Sequence, residues 1–122
     1  MHLRGKDYEV RLIYPSGKME TIFKSPWDFN WQLGYDLAEP IAIPKGTRIV
    51  GIAHYDNSAN NKYNPDPAKL VVWGNQNWEE MQNCFMSFLV DPSIKEPRTL
   101  FKASGPSLLK RGTSGPTLAA LN

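Results

Sequence analysis

One cysteine, two histidines and no apolar run of membrane-spanning length are the scarcities that frame this 122-residue chain. A single thiol, Cys84, excludes an intramolecular disulfide and any zinc site built from cysteine pairs. It stands in the apolar run Cys84-Phe85-Met86-Ser87-Phe88-Leu89-Val90 with no basic neighbour to lower its pKa, so the expectation is a buried, unreactive thiol. No stretch approaches the roughly 20 apolar residues that cross a bilayer, and the first residues lack the charged-then-apolar layout of an export signal. The chain as given carries no export address and so reads as cytoplasmic only as it stands, its compartment left open, and no membrane contact is expected. Charge of one sign is scarce as well. The 14 basic and 12 acidic residues are well mixed as far as Asp91 and leave a net charge of +2, which offers no electrostatic ground for nucleic acid binding.

The marks of common catalytic classes are equally sparse. There is no Gly-rich phosphate loop, and no Ser-His-Asp or Cys-His arrangement stands out. Glu79 and Glu80 are adjacent, which on a strand points them to opposite faces and not toward a shared acid-base site. The polar run from Asp56 to Pro67 is rich in Asn, Asp and Pro, whose side chains cap their own backbone, and this is loop chemistry. Its spacing does not match an EF-hand calcium loop.

What is present is the period of β-strands. Tyr8, Val10, Leu12 and Tyr14 alternate with Glu9 and Arg11 up to the turn Pro15-Ser16-Gly17. Residues 18–24 return as a hairpin partner with Met19, Thr21 and Phe23 on one face, and Ser25-Pro26 ends it. Phe29, Trp31, Leu33, Tyr35 and Leu37 alternate strictly, the pattern of a central core strand. Residues 41–43 form a short strand, and residues 47–55 read as a strand buried on both faces. Residues 69–74 and 81–90 complete the set, with Asn77 capping one helical turn through Glu80. About seven strands joined by short turns, with no helix of crossover length, predict an all-β fold, an antiparallel jelly-roll-like β-sandwich spanning residues 1–91. Residues 92–122 are a Pro/Gly-rich, mildly basic tail, irregular in structure or packed on a partner.

His2 and Met81 fall on what read as separate strands, and imidazole with thioether suits copper, since the soft thioether favours Cu(I) while imidazole accepts either oxidation state. Each residue also has an ordinary reading: His2 as a mobile surface side chain, Met81 as core filler. The Met1 amine and the His2 imidazole are close enough along the chain to chelate one ion together. His54, between Ala53 and Tyr55, reads as a hydrogen-bonded core or edge histidine.

Residues 1–6, Phe29-Asn30-Trp31-Gln32, Pro44-Lys45-Gly46-Thr47-Arg48, Ala53-His54-Tyr55-Asp56-Asn57-Ser58 and the segment from Trp73 to Met81 resemble the C-terminal domain of copper type II, ascorbate-dependent monooxygenases, in its bacterial versions. Peptidylglycine α-hydroxylating and dopamine β-monooxygenase are the animal members. The resemblance covers residues 1–91. It implies a jelly-roll-like sandwich in which His2, followed by Gly5 and Lys6, stands as the second histidine of a copper-binding His-x-His pair and Met81 as the methionine ligand. The pair's first histidine would precede Met1, and the domain that carries the family's second copper has no counterpart here. Relatives of this type are often exported.

The resemblance therefore implies a truncated domain without the full hydroxylation cycle. The leading expectation is a non-catalytic binding or interaction sandwich, with Trp27, Trp31, Trp73 and Trp78 lining a groove and a homo-oligomer formed through an open sheet edge. The alternatives are a copper-binding or redox domain using His2 and Met81, with copper as cofactor, and a fragment of a larger copper-dependent protein.

Overall fold

The computed structural model describes residues 1–102. The chain divides into two compact units, Met1–Met86 and Ser87–Asn122. In the first, β1 (Gly5–Ile13), β2 (Met19–Pro26) and β3 (Arg48–Tyr55) form one antiparallel sheet in the order β2-β1-β3. The first two fall where alternation predicted strands and the third where an apolar run did, and the β1–β2 hairpin turns at Pro15-Ser16-Gly17 as expected. The Tyr14 N–H donates to the Lys18 carbonyl and the Gly17 N–H to the Tyr14 carbonyl, both at 2.9 Å. Gly17 has φ 84°, a backbone region strained for any residue with a Cβ.

Cross-strand partners share a face, so the register sorts the side chains. Val10 faces Phe23 and Gly51, Leu12 faces Glu20 and Ile49, and Tyr8 faces Ser25 and Ala53. Val10 and Leu12 are the buried apolar centre of this face. Irregular chain covers it: Phe23 packs against Tyr35 with ring centroids 4.9 Å apart, and the Tyr55 hydroxyl donates to the Met81 carbonyl at 2.8 Å. The opposite face carries Asp7, Glu9 and Arg11 beside Thr21, Lys24, Val50, Ile52 and His54. A register shift between Val10 and Arg11 leaves Ile22 without a partner. This bulge sets Thr21 beside Arg11 and Phe23 beside Val10, so Met19, Thr21 and Phe23 do not share one face as the alternation predicts.

Elsewhere the structure differs from the strand expectations. Residues 29–37, 41–43 and 81–90 are irregular, and within 69–74 there is only an isolated bridge between Trp73 and Glu80. Alternation marks a segment that fits a half-buried pleated surface, but a strand also needs a partner backbone, and among the described residues none is paired with these segments. Residues 31–37 are exposed in consequence, and so is Cys84, which was expected in the core. β3 is half-buried and at the sheet edge, not covered on both faces. In place of a helical turn after Asn77, a tight loop forms in which the Gly74 N–H donates to the Glu80 carbonyl and the Glu80 N–H to the Val72 carbonyl, each at 3.1 Å.

The second unit is described as far as Lys102. It holds a short 3-10 helix, Pro97–Leu100, and a contact between the Phe88 and Phe101 rings with centroids 4.5 Å apart. Lys110, Arg111 and the apolar clusters at 108–109 and 118–121, part of the expected basic tail, lie outside the described residues. The described chain is thus antiparallel β-structure with almost no helix.

Candidate functional site

His2 is buried, not displayed on a mobile terminus. Its Nδ1 lies 2.9 Å from the Glu79 carbonyl. A carbonyl only accepts, so Nδ1 carries the proton and, in the neutral ring, Nε2 holds the lone pair. The His2 carbonyl is held in turn, accepting the Gly5 N–H at 2.9 Å and the Trp27 indole N–H at 3.1 Å, while the Leu3 N–H donates to the Asn77 carbonyl at 3.3 Å. These bonds stitch the start of β1 to the loop before Met81. Met81 is half-buried, and its thioether sulfur accepts a bond from the Asn83 side-chain amide at 3.5 Å. The fold thereby brings the ring of His2 to a peptide two residues from Met81. Burial lowers the pKa of the Met1 amine below its ordinary 8.0. Among the described residues, no three His, Cys, Asp or Glu side chains gather as a metal-binding group.

Beside His2 sits a residue that sequence reasoning missed. Arg4 is only 1% exposed, its Nε donating to the Asn64 side-chain oxygen at 2.9 Å, one terminal nitrogen to the Trp78 carbonyl and the other to the Asp66 carbonyl at 3.5 Å. The loop from Asp56 to Pro67 is held as its composition predicts, the Asp56, Asn61, Asn64 and Asp66 side chains each accepting a backbone N–H two residues on. Its task of caging an arginine left no signal in sequence, because the partners lie about sixty or more positions away and two of the three are backbone carbonyls. A hollow of about 310 Å³ beside the cage is lined by Arg4, Pro65, Asp66, Lys69 and Trp78.

On the charged face, Glu9 is buried beneath Arg11, Thr21 and Lys24. The bond from Arg11, then that from Thr21 at 2.8 Å, hold its carboxyl down to about 2. On the apolar face, burial pushes the phenols of Tyr8 and Tyr55 up to about 12, with Cys84 adding to the shift at Tyr8 and the charge of Glu80 adding at Tyr55. Both phenols therefore keep their protons further into the alkaline range than a free tyrosine. Of the core and edge settings expected for His54, the structure shows the edge one, exposed, with Nδ1 at 2.5 Å from an Asp7 carboxylate oxygen.

The four tryptophans differ in setting. Trp27 is half-buried on the His2 carbonyl, Trp78 lines the hollow beside Arg4, and Trp31 and Trp73 are 67% and 65% exposed. Phe85 and Leu70 extend this exposure to 93% and 87%. The arrangement offers one imidazole nitrogen with a fixed lone pair, one thioether nearby in sequence to its anchor, and, among the described residues, many large apolar side chains left exposed. No family model, curated protein or solved structure matches this chain.

Proposed function

We propose that this chain is a non-catalytic interaction module, a β-domain of the sandwich type that its resemblance to copper monooxygenase C-terminal domains implies, which completes its core against another polypeptide. One observation carries this reading. Val10 and Leu12 are the buried apolar residues of the described chain, whereas Trp31, Leu33, Tyr35, Trp73, Phe85 and Leu89 are more than half exposed. A monomer that leaves so many large apolar side chains in water gives up roughly 1.5–3 kcal/mol of burial for each that a partner would cover. Sedimentation equilibrium together with tryptophan emission across a concentration series tests it. Association with a blue shift is the expected result. A monomer with unchanged emission over the whole range overturns it.

A second reading rests on the His2 ring. Its Nδ1–H is anchored on a backbone carbonyl, the arrangement that orients metal-binding histidines and leaves Nε2 to ligate. His2 Nε2 and the Met81 sulfur would hold copper, and the metal would supply a one-electron redox centre. Tight Cu(I) binding that is lost in both His2→Ala and Met81→Ala is the expected outcome. Binding unchanged by Met81→Ala removes this reading.

A further inference from the structure

Among the described residues the sheet has two open edges, β2 and β3, and they are not alike. The β2 edge carries Lys24, Pro26 and the bulge at Ile22, three of the devices that discourage strand addition. β3 reads Arg-Ile-Val-Gly-Ile-Ala-His-Tyr from 48 to 55, with no proline, no lysine and no bulge of its own. Among the described residues, no backbone hydrogen bond outside the sheet begins or ends on residues 48–55. The Asp56 N–H donates inward to the Arg4 carbonyl at 2.8 Å, which sets the alternation of the strand before it. Residues 54, 52, 50 and 48 direct their backbone groups toward β1, while Ile49, Gly51, Ala53 and Tyr55 direct theirs outward.

We propose that β3 pairs antiparallel with β3 of a second copy of this chain, about a two-fold axis at Ile52, to make a continuous six-stranded sheet. This rests on the interaction-module reading and specifies its partner. A two-fold normal to the sheet keeps both faces continuous only when residues of like parity oppose each other. Centred on Ile52, the register sets Gly51 against Ala53 and Ile49 against Tyr55 as hydrogen-bonded pairs, using the outward backbone groups. It sets Val50 against His54, and Arg48 against Asp56. That last pair selects the register. Arg48 is exposed and Asp56 half-exposed, neither takes part in an ion pair within the described chain, and the symmetry places opposite charges together at both ends of the junction. Centring on Gly51 instead would oppose Arg48 to His54 and leave Asp56 beyond the pairing.

Charge reversal and cross-linking test the register. Arg48→Glu and Asp56→Arg alone each place like charges across both ends and are expected to weaken the dimer about tenfold, while the double reversal restores it. In a Cys84→Ser background, Ile52→Cys meets its own copy as a non-hydrogen-bonded pair with Cα atoms about 4.5 Å apart, within disulfide range, and is expected to cross-link under mild oxidation, whereas Thr21→Cys on the β2 edge is not. Far-UV circular dichroism of each variant checks that the sheet is kept. A dimer indifferent to both reversals and linked through residue 21 or neither residue overturns the β3 pairing and leaves the interaction module standing. A wild-type monomer at every concentration overturns both.

Discussion

Arg4 keeps a positive charge where water scarcely reaches, and its partners are a side-chain amide and two peptide carbonyls, not a carboxylate. Such a charge is tolerated because the planar guanidinium spreads its donors over three acceptors, which a lysine ammonium at the same position would not reach together. Arg4→Lys is therefore expected to cost about 2 kcal/mol in urea unfolding, and Arg4→Ala about 3, since hydrogen bonds to charged groups are worth more than neutral ones and their loss strands buried carbonyls. An unchanged urea midpoint in both variants would show that the cage contributes nothing. Glu9 makes a prediction of different form. Its folded pKa of about 2 lies below the ordinary 4.5, so the unfolded chain binds the proton more readily. The stabilisation is complete above pH 4.5 and is lost as pH falls toward 2. Glu9→Gln is expected to flatten this acid limb of the stability profile while leaving the neutral and alkaline parts parallel to the wild type, and urea midpoints measured from pH 7 to pH 2 read the difference.

Among the elements, β1 has two neighbours and β2 and β3 have one each, so β1 carries the weight of the sheet. Leu12→Ala, in a fully buried position at its centre, is expected to cost about 3 kcal/mol, while Met19→Ala, 65% exposed on β2, should fall within about 0.5 kcal/mol. Equal effects at the two positions would mean that the covered face is not where the fold draws its stability. β1 and β2 were legible because each shows alternation next to a turn signal and the local hairpin pairs them, and β3 because an apolar run of strand length follows the turn Pro44-Lys45-Gly46. The residues 29–37 show why alternation alone is insufficient: side chains record fitness for a sheet, while pairing depends on a backbone that the sequence does not identify. The bulge at Ile22 was invisible for a related reason, since a one-residue slip changes which face a side chain takes without changing any residue. Of the candidate site, His2 and Met81 could be singled out by residue type, but the bond of His2 to Glu79 and the whole Arg4 cage arise from long-range closure of the chain.

At the scale of the molecule, the small buried centre and the unpaired edge belong to one problem: in the proposed dimer, a sheet of three strands would gain a backbone partner for β3. Association of this kind ties stability to concentration by mass action. For a dimer that unfolds to separate chains, each tenfold rise in protein adds about 1.4 kcal/mol per dimer to the apparent stability, so the urea midpoint should climb steadily across a hundredfold range. Hydrogen exchange locates the cause. The amides of β1 donate alternately to β2 and β3 and should exchange slowly at every concentration, whereas the outward amides of Ile49, Gly51, Ala53 and Tyr55 should be fast in dilute solution and become protected as the chain is concentrated. Protection that rises on β2 in place of β3 would move the junction to the other edge. A midpoint independent of concentration would mean that each chain is stable alone, and the β3 pairing falls with it.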